Sequence, residues 1–288
     1  MNKDKSQGKK MTLSYSITLS SFLNIQKNDI ETLENLTQVG LTEFELYGEP
    51  DNIDWKNFKD ILNSFNTKVV GITGMWGRSS PNGWKRRLLS NDNSMVKYAE
   101  EYVLNCIKLC NYFGGERINL CLFSDPINSF DVTHRNVTED VKTKVLGGCV
   151  PLINRLSKNA KDENVSLMVE PLNRYSTPYC CTFSDVKPLI ERCDDLELML
   201  DTFHMNIEED SFEHTILDSQ LNLSHMHFAD NNRKMPGFGH IDFDTIVKAL
   251  KIISYRGKIS FEPIISDRNY FSSVKSGLDH VKKLDLKY

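Results

Sequence analysis

The chain lacks most of the features that would assign it a class at once. No apolar run approaches the roughly 20 residues that a membrane helix needs. Residues 1–10 are polar and lysine-rich, without the apolar segment of a secretory signal, so a disordered tail is expected there and a single domain over 11–288. Charge of one sign is missing too: 35 Lys and Arg stand against 39 Asp and Glu, a net charge of -4. That balance gives no support to nucleic acid or an anionic membrane as the main partner. The seven cysteines are odd in number and show no metal-type CxxC spacing. Cys106 and Cys110 lie four apart, and Cys180 and Cys181 are adjacent; reduced structural thiols in a cytoplasmic protein are the expectation. No low-complexity linker or composition break divides the chain.

What is present is alternation. Short apolar runs at 15–19, 44–47, 68–72, 117–123, 167–170, 196–200, 224–228 and 258–262 read as strands. Between and after them lie helical patterns at 29–38, 55–65, 93–113, 140–162, 185–192, 212–218, 242–253 and 269–283. Eight βα units in one chain of this length predict an α/β fold, a (β/α)8 TIM barrel. The loop at 74–83 is rich in Gly, Ser and Pro and carries Trp76; it reads either as a cover over a substrate or as an irregular surface loop.

The barrel reading gives weight to what stands at the strand ends, because those ends converge on one mouth where barrel enzymes do their chemistry. Glu170, Asp201, His227 and Glu262 close the last four strands. One such Glu alone reads more readily as a salt-bridge or cap partner, but four in register at successive strand ends do not. Three carboxylates and one imidazole form a hard donor set that suits Mn²⁺, with Mg²⁺ or Co²⁺ as alternatives, better than a thiolate site selecting zinc. Around an octahedral ion, two positions remain for a substrate carbonyl and its neighbouring hydroxyl. Such an ion would polarise the carbonyl and hold the enediolate left when the adjacent carbon loses its proton. His225 is expected to face away from the interior. The turn at Pro236-Gly237-Phe238-Gly239 reads either as a plain turn or as a source of backbone N–H groups for an anion, with Arg174, Arg233 and Lys234 adding positive charge nearby.

Several stretches together resemble a known family: Glu170-Pro171-Leu172-Asn173-Arg174, Leu200-Asp201-Thr202-Phe203-His204-Met205-Asn206, His225-Met226-His227, Asn231-Asn232-Arg233, Tyr255-Arg256-Gly257 and Phe261-Glu262-Pro263. They resemble the xylose-isomerase-like barrels of the sugar phosphate isomerase/epimerase superfamily, and within it the ketose 3-epimerase group of D-tagatose and D-psicose 3-epimerases. The resemblance runs from about Met11 onward. It implies that Glu170, Asp201, His227 and Glu262 ligate the metal, that Glu170 and Glu262 move the proton, and that His204 and Arg233 hold the carbonyl end of the substrate. Trp76 and Ser176 complete the expected substrate-binding set. Ser176 is a departure, since that group usually has Glu there, and it puts the choice of sugar in question. The resemblance further implies a small sugar or polyol ketone as substrate, and a dimer or tetramer.

Other outcomes share the metal site. Returning the proton to the neighbouring carbon gives aldose–ketose isomerisation, and expelling a hydroxyl gives an inosose or keto-sugar dehydratase. An endonuclease for damaged DNA, on the same fold, would need further histidines at the ends of the third and fourth strands, where this chain has none. A non-catalytic binding barrel would lack the metal.

Overall fold

The computed structural model describes residues 12–25, 29–77, 80–126 and 137–288, so the expected tail at 1–10 lies outside it. Eight parallel strands close into a barrel in chain order. They are β1 (Ser14–Thr18), β2 (Glu43–Gly48), β3 (Lys68–Gly74), β4 (Arg117–Leu120), β5 (Ser166–Val169), β6 (Leu196–Asp201), β7 (Leu223–Phe228) and β8 (Lys258–Phe261). The helices are α1 (Asp29–Gln38), α2 (Trp55–Ser64), α3 (Asn93–Phe113), α4 (Glu139–Gly148), α5 (Val150–Asp162), α6 (Phe183–Ile190), α7 (Thr202–Glu208), α8 (Phe212–Asp218), α9 (Phe243–Ile252) and α10 (Phe271–Lys287). None of them, among the described residues, is long and apolar enough to cross a membrane.

Two helices differ from expectation. The single helix expected over 140–162 is α4 and α5, end to end. Gly147 and Gly148 weaken the first, and Pro151, which lacks an N–H and restricts Val150, starts a new helix and cannot continue the old one. The connection after β6, expected as a loop, is α7, and Asp201 caps it by accepting from Phe203 N at 2.7 Å.

The register sorts side chains by face. Because successive residues of a strand point to opposite faces, Ile17, Phe44, Ile72, Ile118, Leu167, Leu198, Met226 and Phe261 fall on the outer face, where Phe261, Ile17 and Phe44 are paired in register, as are Ile72, Ile118 and Leu167. All are buried against the helices. Burial of each such side chain contributes roughly 1.5–3 kcal/mol. The inner face is different. Barrel interiors are commonly filled by Val, Ile and Leu, but here Ser16, Thr18, Glu45, Thr73, Asn119, His225 and Ser260 are buried. Buried polar groups of this kind cost free energy unless they find partners; Thr18, Thr73, Glu45 and Asn119 find them, whereas the hydroxyls of Ser16 and Ser260 have none.

All seven cysteines are free, and six of them are buried, in keeping with structural thiols.

Candidate active site at the barrel mouth

The four expected ligands stand at the C-terminal ends of consecutive strands. Asp201 and His227 lie on β6 and β7 and are paired in register. Glu170 and Glu262 come one residue after β5 and β8, each anchored by its backbone N–H, to Leu120 O and Phe228 O at 3.0 Å. Asp201 belongs to two clusters of potential ligand atoms that each fit within 4.8 Å: Glu170 with Asp201 and His204, and Asp201 with His227 and Glu262. The four donors therefore gather around Asp201. A third cluster, Glu45 with His225 and His227, lies on the other side of the His227 ring.

Above these residues opens a cavity of about 350 Å³ lined by Trp76, Asn119, Cys121, Glu170, Ser176, His204, Arg233 and Glu262, among others. All four residues expected to touch substrate reach this wall. Trp76 folds back over the end of β3 and donates through its indole N–H to Asn119 O at 3.2 Å. Only a glycine at position 74 permits this, since a Cβ there would collide with the indole. Ser176 sits on the exposed turn after β5.

His204 is oriented by Asn173. The Asn173 side-chain oxygen accepts from Tyr175 N at 3.0 Å, which turns its amide nitrogen toward His204 Nδ1 at 2.8 Å. An amide nitrogen only donates, so Nδ1 accepts and the proton is on Nε2. Burial pushes the His204 imidazole down to about 4, so it offers the cavity a neutral N–H donor.

Arg233 bridges two carboxylates. One guanidinium nitrogen meets Asp201 Oδ2 at 2.5 Å and the other meets Glu262 Oε2 at 2.6 Å, while the group stacks over Phe203 at 4.6 Å. Its backbone is left-handed, φ 58°, a conformation that costs a non-glycine residue about 1 kcal/mol or more. A turn closed by Arg233 N to Asp230 O at 2.8 Å holds it there. Against the cost of burial, Arg233 and His227 hold the Glu262 carboxyl far below the usual carboxylate range.

Glu170 has no such cation. Its Oε2 accepts from Asn119 Nδ2 at 2.6 Å and from the Cys121 thiol at 3.2 Å. Burial, followed by the charges of Glu262 and Asp201, raises its carboxyl to about 7, against a lowering by His227.

One position departs from the sequence reading, and two other features prove to be already occupied. His225 faces inward with His227; its Nε2 lies 2.9 Å from Glu45 Oε1, because residues two apart on a strand share a face. The turn at 236–239 has already spent its N–H groups on the protein's own anion. Gly237 N and Gly239 N donate to the buried Asp230 Oδ2 at 2.9 and 2.8 Å, and Ile241 N donates to Oδ1 at 3.1 Å. The positive charge expected at the mouth is likewise engaged, Arg174 by Glu208 at 2.8 Å and Arg233 as described. Sequence reasoning missed Glu45, Asn119 and Cys121. Asn119 and Cys121 follow one another at i, i+2 at the end of the fourth strand, and that spacing was the available signal.

The chain belongs to the family of xylose isomerase-like TIM barrels, whose model matches residues 33–284. This agrees with the resemblance carried by the motifs. A D-psicose 3-epimerase of Agrobacterium fabrum is 33% identical over 142 residues, which is 46% of this chain and 49% of that protein. An L-ribulose 3-epimerase of a Methylomonas species is 26% identical over 223 residues, 76% of this chain and 72% of that protein. The chain thus aligns with about half the length of the first of these relatives. The crystal structure of D-psicose 3-epimerase with D-tagatose from Clostridium cellulolyticum H10 superposes with a TM-score of 0.77 at 20% identity, over 94% of this chain and 99% of that one. This last likeness is one of fold.

Proposed function

We propose that the chain is a divalent-metal-dependent epimerase acting on a ketose or a closely related polyhydroxy ketone. The observation that carries the reading is that Asp201 shares one cluster of donor atoms with Glu170 and a second with His227 and Glu262, beneath a cavity that holds a neutral N–H donor. The names of the curated relatives support it.

The donor set fits a divalent cation. Glu170 is buried beside two further carboxylates, and its raised pKa marks a place short of positive charge. His227 turns Nδ1 toward Glu262 at 3.1 Å, and the proton on that nitrogen is the one a cation would displace. Glu170, Asp201, His227 and Glu262 would hold the ion, Mn²⁺ or else Mg²⁺ or Co²⁺, whose contribution is Lewis-acid polarisation of a carbonyl.

The side chains account for the rest. Glu170 and Glu262 follow strands on different sides of the mouth, so each can address one face of a planar carbon. One takes the proton from the carbon beside the carbonyl, and the other gives a proton to the opposite face. His204 donates its Nε2–H toward the carbonyl oxygen. Arg233 fixes the Glu262 carboxylate and keeps it ionised. Trp76 closes one wall against water, and Ser176 meets the far end of the sugar.

The deciding measurement is metal content per chain, followed by ketoses and inososes incubated in D₂O and followed by NMR. Bound divalent metal, deuterium entering beside the carbonyl and an epimer as product are expected. A chain that takes up no divalent metal, or that loses a hydroxyl from the substrate, defeats the epimerase reading.

A further inference from the structure

Glu45 has no part in these proton transfers, yet three side chains meet its buried carboxylate. It projects from the middle of β2 and is 1% exposed. Its Oε2 lies 2.8 Å from His227 Nε2 and also accepts from the Thr73 hydroxyl at 3.1 Å, and Thr73 is held in turn by Thr18 at 2.7 Å. Its Oε1 lies 2.9 Å from His225 Nε2. β2 and β7 are not neighbours; β1 and β8 separate them, so this side chain spans the lumen.

A histidine offers two nitrogens, and which one meets a ligand is set by what the other is given to do. Here the two nitrogens of His227 face different surroundings: Nδ1 meets Glu262 on the cavity side, and Nε2 meets Glu45 below. An oxygen that already accepts from Thr73 is an acceptor for Nε2 as well, so the Nε2 proton stays on the ring.

We propose that Glu45 is a positioning residue for His227: by accepting the Nε2–H it commits the imidazole to presenting Nδ1 to Asp201 and Glu262. This rests on the metal reading of the site given above. The Glu45, His225 and His227 cluster is then a support beneath the metal centre and not a second place for the ion. Carboxylates behind ligating histidines raise ligand basicity and fix ring orientation, and their loss weakens metal affinity about 10–100-fold.

The test uses the full chain with ¹⁵N-labelled histidine, with and without Mg²⁺ or Zn²⁺, together with calorimetric titration of the same ions. The wild type is expected to bind one ion per chain, with Nδ1 shifted by ligation and a downfield, slowly exchanging Nε2–H on His227. Glu45→Ala should lose that protection and bind the ion about 10–100-fold more weakly. Glu45→Gln, whose amide oxygen still accepts, should lose less. His225→Gln should still bind one ion. Ligation through Nε2 in the wild type, wild-type affinity in Glu45→Ala, or loss of the ion in His225→Gln would each overturn the proposal. Should Glu45→Ala not fold, the wild-type and Glu45→Gln spectra decide. Should the wild type bind no divalent ion, the reading of the site fails, and the metal-free spectrum judges Glu45 alone: a protected Nε2–H supports it, and rapid exchange refutes it.

Discussion

The two carboxylates that face each other across the mouth are chemically alike and housed in opposite ways. Glu262 lies against a guanidinium and an imidazole, which hold it ionised despite its burial. Glu170 lies against an amide and a thiol, and burial beside two further acids raises it to about 7. The difference comes from neighbours that arrive on different strands: Arg233 from the turn after β7, Asn119 from β4. Pairs of titratable groups pushed apart in this way mark out an acid and a base. In the metal-free chain, Glu262 is held ionised and Glu170 is the group able to carry a proton.

The largest effect should come from removing either carboxylate. Glu262→Gln and Glu170→Gln should each lower turnover by about 10²–10⁴-fold, the span of general acid–base catalysis. In Glu262→Gln, deuterium incorporation from solvent should vanish while circular dichroism stays that of the folded barrel. Wild-type exchange in that variant would end the two-base reading.

Next comes the cation that makes the two sides unequal. Arg233→Ala leaves Asp201 and Glu262 buried without their shared partner, and a broken buried pair costs about 3–5 kcal/mol. Alanine keeps the strain of the left-handed backbone and glycine relieves it, so Arg233→Gly should be less harmed than Arg233→Ala. Divalent metal should restore more thermal stability to these variants than it adds to the wild type. An equal increment in all three would mean that Arg233 does not share its place with the ion's ligands.

Much of this site is legible in the sequence, and the missing part has a physical pattern. The strands were readable because the outer-face residues, Ile17 through Phe261, form short apolar runs. The four strand-end donors were readable because an ionisable group closing a buried run stands out. Glu45 did not, because attention to strand ends passes over the middle. Yet Phe44-Glu45-Leu46 places an acid between two outer-face residues, and in a closed barrel the other face is the lumen. Its partner His227 is 182 residues away, and no local pattern reports such a pair. His225 was misassigned by a parity error that the two-residue repeat of a strand corrects. The turn at 236–239 reads in the sequence either as a plain turn or as a source of N–H groups for an anion, and the anion it holds is Asp230 of the same chain.

The acid-dependent stability of the metal-free chain separates the two carboxylates again, with a smaller signal. The Glu170 carboxyl is raised from 4.5 to about 7 on folding, so the folded chain holds that proton more tightly than the unfolded one. Its contribution to stability is present below 4.5 and is lost as the pH rises through about 7. Glu262 is lowered, so its contribution is present above 4.5 and is lost only as the pH falls well below that. Between about pH 5 and pH 7, then, Glu170 alone of the pair should make the melting temperature fall. Glu170→Gln should melt with a flatter profile over that range, and bound divalent metal should abolish or reverse the slope. A variant with the wild-type slope would place the titration elsewhere.

The finest comparison lies within the support of Glu170 itself, where Asn119 and Cys121 donate to the same oxygen. They are not equivalent. Asn119 also accepts from Gly74 N at 2.6 Å, so it ties the end of β3 to the Glu170 carboxylate, whereas the thiol, among the described residues, reaches no other element and only accepts in addition from the Asn119 amide at 3.7 Å. Asn119→Ala strands a buried acceptor and a backbone N–H and should cost about 1–3 kcal/mol. Cys121→Ser keeps a donor of similar reach and should leave turnover within a few-fold of wild type, and Cys121→Ala should fall between the two. A serine variant as damaged as Asn119→Ala would show that the thiol contributes its size and apolar character to the wall of the cavity, and not its hydrogen bond.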